Sequence, residues 1–264
     1  MELNFTAGPA PSEHTNLSSH RLVSLIGQYN RVWHGVFDDQ CVLNESLYGY
    51  AHQEHLSQRL NSLSESIHQR HISVVYSPFT LVPRSEPVHD DLSVYLSEDA
   101  RVMNSHKFVF KRHQCSQYEI DVISAIPSNF IVEESGVEVE YSHFGYDFLE
   151  ALPPNAATSR VYMTAFHDKM FVAVLGENGV KMLNSFDYVN KEGILYFLSL
   201  TFERLNLDQN STTVYISGTF HSDGPELELL QTYFADIVLA QLIDDTETKD
   251  AHRFYPLYAV AGCV

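Results

Sequence analysis

The chain is short of positive charge, of cysteine and of long apolar runs, and each shortage closes a class of function. Lysine and arginine together number 16 in 264 residues, against 34 aspartates and glutamates, for a formal charge of −18. A surface that acidic repels phosphate backbones and anionic headgroups, so neither nucleic-acid binding nor membrane insertion is expected. Its bland consequence is a soluble protein kept dispersed by self-repulsion. The three cysteines, Cys41, Cys115 and Cys263, are an odd count at wide spacing with no Cys-x-x-Cys. That pattern reads as free thiols in a reducing compartment rather than a disulfide framework. The longest mostly apolar run, residues 194–205, holds Ser199, Thr201, Glu203 and Arg204, and it falls short of the roughly 20 residues a membrane span needs. Residues 1–18 read as a loose arm, without the basic-then-apolar layout of an export signal, so the expected compartment is the cytoplasm.

What is present is a repeated plan. The stretch from Arg21 to Ser77 and the stretch from Arg160 to Gly218 each begin with three short β-rich runs. In the first they cover 20–27, 31–37 and 40–47; in the second, 160–166, 170–176 and 180–187. The intervening turns are two or three residues long, which means antiparallel hairpins. One of them contains Asn178-Gly179, a strong hairpin signal. Leu43-Asn44-Glu45-Ser46-Leu47-Tyr48 is echoed by Leu183-Asn184-Ser185-Phe186-Asp187-Tyr188. Repeats of solenoids run about 20–50 residues, so a duplication this long means two lobes of one architecture.

Each copy continues into a helix and a returning strand. The first helix is expected over 51–69, with Leu56, Leu60, Leu63 and Ile67 as its apolar stripe. The second, over 191–205, is apolar on most sides and is expected to be the more deeply buried. The returning strands are 72–76 and 213–216. A strand regained through a helix requires a crossover, so the sheets are mixed. Between the copies we expect helices at 90–96 and 127–134, strands at 107–111, 119–126 and 137–143, and a helical segment at 146–152. Pro153-Pro154-Asn155 marks the boundary between a first lobe, 19–154, and a second, 155–264. The second closes with a helix at 225–234, a strand at 237–242, an acidic loop at 244–250 and a last strand at 254–260.

Three meandering strands, a helix, a strand and further alternating elements, all duplicated, is the layout of the actin-like and ribonuclease-H-like superfamily. Tyr76-Ser77-Pro78-Phe79-Thr80-Leu81-Val82-Pro83 resembles a signature of a Bacteroidetes domain-of-unknown-function family with an actin-like ATPase fold. So do Asn184-Ser185-Phe186-Asp187-Tyr188 leading into Ile194-Leu195-Tyr196-Phe197, and the strand ending Ser217-Gly218. The resemblance implies an α/β fold of two lobes, each with a mixed sheet of the five-stranded type and flanking helices. It brings no established activity. Actin-like ATPases carry an Asp-x-Gly-Ser/Thr loop in the first hairpin of each lobe, where the carboxylate acts through Mg²⁺ and glycine opens backbone N–H groups to phosphate. Here the first hairpin, Leu25-Ile26-Gly27-Gln28-Tyr29-Asn30-Arg31, has a glycine without an acid. The second, Ala165-Phe166-His167-Asp168-Lys169-Met170, has an acid without a glycine. The adenosine element, Ser217-Gly218-Thr219, keeps one glycine of a pair. What survives is a vestigial nucleotide cleft of Gln28, Asp168, Lys169, Ser217, Gly218 and Thr219. No cofactor is expected, and ATP with Mg²⁺ is the one to test.

Other chemistry is thinly supported. No Gly-x-x-x-x-Gly-Lys-Ser/Thr, Gly-x-Gly-x-x-Gly or Gly-x-Ser-x-Gly occurs. His52 and His55 share a helix face but have no acid beside them, and His113 with Cys115 is a lone pair of ligands. Near His89 and His221 the acids read as turn and cap residues: Asp90 as an N-cap, Asp223-Gly224-Pro225 as a turn. Ser142-His143 is adjacency on a strand, not a dyad. The reading that remains is a non-catalytic scaffold that binds a protein partner or a second copy of itself. The alternatives are an ATP-binding protein using Asp168, Gln28 and Thr219, or a histidine-based metalloenzyme.

Overall fold

The computed structural model describes residues 20–51, 58, 67–99, 107–131, 137–154, 157–240 and 251–264. The arm, the histidines 52 and 55, Leu56, Leu60, Leu63 and the acidic loop at 244–250 lie outside these residues. The chain divides into two compact units.

The first unit comprises Met1–Gln114, Ile120–Asp147 and Val260–Cys263. Its main sheet is built from β1 (His20–Ile26), β2 (Arg31–Phe37), β3 (Leu43–Tyr50) and β4 (Ile67–Val74). A second, three-stranded antiparallel sheet follows from β5 (Phe79–Pro83), β6 (Phe108–Gln114) and β7 (Ile120–Pro127), with β7 central. Then β8 (Glu138–His143) returns to the main sheet, whose order is β3-β2-β1-β4-β8. The hairpin pairs are antiparallel, while β1/β4 and β4/β8 are parallel. Helix α1 (Phe144–Glu150) starts directly at the end of β8. Six of the seven residues of β2 are buried. Val32 and Val36 pack on one face, while Trp33 and Phe37 lie on the other by the period of two. In the smaller sheet, buried Asp121 accepts from Arg112 at 2.6 Å and Arg84 at 3.4 Å, so its charge is met by two guanidinium groups.

The second unit comprises Cys115–Glu119, Phe148–Ala259 and Val264. It contains β9 (Arg160–Phe166), β10 (Lys169–Gly176), β11 (Gly179–Asp187), α2 (Lys191–Arg204), β12 (Val214–Gly218), α3 (Pro225–Tyr233), β13 (Ile237–Leu239) and α4 (Tyr255–Ala261), the last of which ends in the first unit. The sheet order is β11-β10-β9-β12-β13, the same permutation and the same strand directions as in the first unit. The duplicated mixed sheets expected from the sequence are therefore present. Met170 to Leu175 is a continuous apolar run, and every residue of β10, an interior strand, is buried. The Asn190 side chain caps α2 by accepting from the Gly193 N–H at 3.0 Å.

Several expected elements come out differently. Ile67–Gln69 belong to β4, not to the end of a helix: Ile67 pairs with His20 and Gln69 with Arg21. The helices expected at 90–96 and 127–134 are single 3-10 turns, Leu92–Leu96 and Ser128–Phe130, within the described residues. The cap of the former is Asp91, not Asp90, accepting from the Ser93 N–H at 3.0 Å. Helix α2 buries one stripe, Ile194, Leu198, Thr201 and Phe202, and leaves Tyr196 60% exposed. The last segment, read as a strand from its aromatic and β-branched residues, is the helix α4. Pro256 sits in its first turn, where a fixed φ and a missing N–H cost nothing. Finally, Cys41 and Cys263 are joined in a disulfide, against the expectation of free thiols. The partners are 222 residues apart in sequence, so only the fold makes them neighbours. Arg21 donates to Cys263 Sγ at 3.3 Å, and Cys115 is a buried free thiol. No helix among the described residues is long and apolar enough to cross a membrane.

Candidate functional site

In the second unit, β9 and β10 are joined by the two residues His167 and Asp168, between the paired Phe166 and Lys169. His167 takes φ 60°, the left-handed conformation that so tight a turn demands of its first residue. The Asp168 carbonyl accepts from the Tyr188 N–H at 2.8 Å. Beside this hairpin β12 ends at Gly218, with φ 92°, paired with Ala165. The Thr219 N–H donates to the Ala165 carbonyl at 3.0 Å, and the His167 N–H donates to Thr219 Oγ1 at 3.3 Å. Tyr188 lies beside the Thr219 side chain. Burial, and then the carboxylates of Asp168 and Glu226, push its phenol well above the ordinary range. The structure thus gathers Asp168, Gly218 and Thr219, and adds His167, Tyr188 and Glu226, which sequence reasoning had not assigned to the site.

The structure accounts for the remaining sequence candidates separately. Lys169 Nζ lies 2.7 Å from Asp187 Oδ1, its direct register partner on β11, and its side chain is only 4% exposed. Ser217 is paired with Thr164, so it faces the side of the sheet opposite the Ile216–Met163 core. Gln28 belongs to the first unit, in a 3-10 turn whose Tyr29 and Asn30 take φ 55° and 58°. The turn is closed by Gly27 N–H to the Arg31 carbonyl at 2.8 Å and brings no carboxylate of its own.

The first unit also holds a buried polar network that the sequence did not announce. Ser73 on β4 and Ser142 on β8 are register partners, and both hydroxyls donate to Asp147 Oδ2 at 2.5 Å. His71 Nε2 lies 2.8 Å from Ser142 Oγ and 3.6 Å from Asp147 Oδ1; its Nδ1 faces Glu140 at 4.0 Å. Burial raises the Asp147 pKa, opposed by His71 and the two serines. A serine, a histidine and an aspartate are in contact, yet the order is wrong for nucleophilic catalysis. A triad needs the acid on the imidazole nitrogen remote from the serine, whereas here one nitrogen faces both, and the Ser142 proton already serves the carboxylate. His143, the histidine adjacent in sequence, is not in the network. It accepts from the Gly145 N–H at 2.9 Å, lies 2.8 Å from the Ser77 carbonyl through Nε2, and packs on Phe79. The arrangement pins β4, β8 and α1 together. Among the described residues, no group of three or more His, Cys, Asp or Glu side chains is placed to hold a metal ion.

The fold has counterparts among known proteins. A Bacteroides thetaiotaomicron protein of unknown function with an actin-like ATPase fold matches at TM-score 0.72 and 12% identity, covering 97% of this chain and all of that one. The cytoplasmic domain of EpsL, an inner membrane component of the Vibrio cholerae type II secretion system, matches at TM-score 0.51 and 14% identity, over 92% and 94% of the two chains. The PilM–PilN type IV pilus biogenesis complex matches at TM-score 0.52 and 12% identity, over 92% and 96%. No curated protein matches. The family model for proteins of unknown function DUF3822 matches residues 43–237, and with that span covered the chain belongs to the DUF3822 family and has an actin-like ATPase fold.

Proposed function

We propose that this chain is a non-catalytic member of the actin-like superfamily that acts as a binding or assembly scaffold. The observation that carries the reading is Lys169. The cation best placed by sequence to meet a phosphate is buried in an ion pair with Asp187. Phosphoryl transfer needs a metal and positioned donors to meet the charge on the phosphate oxygens. A two-residue His167-Asp168 turn and the acid-free Gln28–Asn30 turn are a poor fit to Mg²⁺-nucleotide. The relatives point the same way: EpsL is a component of a secretion system, and PilM was solved in complex with PilN. The expected partner is a protein, or a second copy of this chain, and not a nucleic acid. The EpsL domain is cytoplasmic, and the same compartment is proposed here.

One observation favours an ATP-binding alternative: Asp168, Thr219 and Tyr188 still converge at the ends of β9 and β12. Calorimetric titration of ATP with Mg²⁺, followed by phosphate release from wild type and Asp168→Ala, separates the two. The scaffold reading expects no turnover above background. Turnover that vanishes in Asp168→Ala would replace it with the ATPase.

A further inference from the structure

The face of the second sheet that carries Ser217 borders a cavity of about 270 Å³, and its walls are specific in chemistry. Tyr162 and Tyr215 are direct register partners on β9 and β12 and stack with centroids 4.9 Å apart and planes 13° from parallel. Tyr255 from α4 and Phe148 add aromatic wall, and the Tyr255 hydroxyl is committed to the Ala151 carbonyl at 3.1 Å. The cation here is Arg160, two residues before Tyr162 and hence on the same face, with its guanidinium 5.9 Å over the Tyr215 ring. It lies beside Tyr162, and no carboxylate among the described residues is paired with it. In a chain with 34 acids and 16 bases, a guanidinium with no carboxylate partner among the described residues is suited to an anionic ligand. Lys181, bonded to Ser159 at 2.8 Å just before Arg160, adds a second positive charge at this end of β9.

We propose that this cavity binds a small monocarboxylate with a flat, apolar body, seated between the tyrosines with its carboxylate on Arg160. The volume admits about ten non-hydrogen atoms, below the size of a nucleotide. A guanidinium held against a ring presents its remaining N–H groups in the fork that matches a carboxylate. The apolar walls give the body its share of the binding energy. A phosphate dianion is disfavoured twice, by the lack of apolar atoms to fill the walls and by greater repulsion from the −18 chain.

The test titrates the full chain with 3-phenylpropionate, with its uncharged counterpart 3-phenylpropanol and with inorganic phosphate, by calorimetry. Wild type is expected to bind the carboxylate saturably, and the alcohol at least about tenfold more weakly, as befits loss of a charge-assisted hydrogen bond. Arg160→Gln is expected to weaken the carboxylate by a similar factor and leave the alcohol unchanged. Ala240→Leu, which adds bulk to the cavity wall, is expected to weaken both. Arg160 is partly exposed, so the Gln variant should keep the wild-type melting temperature, which checks that the fold is intact. Absence of saturable binding up to tens of millimolar overturns the proposal. So does equal affinity for acid and alcohol, equal competition by phosphate, or indifference to both substitutions.

Discussion

Gly218 lies so close to Ala165 that a β-carbon on it would stand 2.1 Å from the Ala165 carbonyl oxygen. The residue also takes φ 92°, a conformation that L side chains rarely adopt. Both facts arise because β12 ends here against β9 and turns toward Thr219, which hydrogen-bonds the same carbonyl. Gly218→Ala is expected to lower stability by roughly 3 kcal/mol or to prevent folding. Urea unfolding of the variant measures it. A loss of a few tenths would mean that the strand end is free to shift.

Asp147 gives a pH signature of one sign. Its folded pKa lies above the ordinary 3.8, because burial outweighs the help of His71, Ser142 and Ser73. Between 3.8 and the raised value, the folded chain holds a proton that the unfolded chain has released, so this group's contribution falls as pH rises. Asp147→Asn removes the proton linkage. The stability of Asp147→Asn relative to wild type should therefore climb as pH increases from 4 upward. A relative stability that falls instead would show that Asp147 is ionised throughout that range.

His34 gives the opposite sign. Its ring is buried beside Ser24, at 2.9 Å from the hydroxyl, and burial followed by Arg70 pushes its pKa down to about 4. The unfolded chain takes up a proton near 6.5 that the folded chain refuses until about 4. Stability should thus fall by about 3 kcal/mol from this group as pH drops across that window. Denaturant titrations at stepped pH on wild type and His34→Gln test it, the variant being expected to lose that part of the slope.

The Cys41–Cys263 bond fastens the β2–β3 turn to the residues that follow α4. Closing so long a stretch of chain restricts the unfolded state, and reduction should cost about 2–4 kcal/mol. Cys41→Ser should show the same loss and no further response to reductant. A wild type unchanged by reductant, with thiol labelling proving that the bond was opened, would refute this.

Much of the frame was legible locally. β2 and β9 fall at the expected 31–37 and 160–166, and α2 within one residue of 191–205, because hairpin turns and periodic apolar residues act over a few neighbours. The echo between the copies foretold two sheets of one strand order. Asp168, Gly218 and Thr219 lie close together because they close the adjacent ends of β9 and β12, which pair in register.

Local pattern alone therefore determined the hairpins and the crossover, since each depends on residues close in the chain, and the duplication followed because that pattern occurs twice. It was silent or wrong where a side chain's role depends on a distant partner. His71 and Asp147 are separated by a whole sheet in sequence, Cys41 and Cys263 by most of the chain, and Lys169 could be seen as an ion pair only once β10 and β11 were in register. The aromatic run before Val260 looked like a strand for the same reason: burial against the rest of the fold overrides intrinsic propensity. The cavity beside Arg160 belongs to this class as well, because its walls come from β9, β12 and the two helices α1 and α4, and only their packing leaves the space between them.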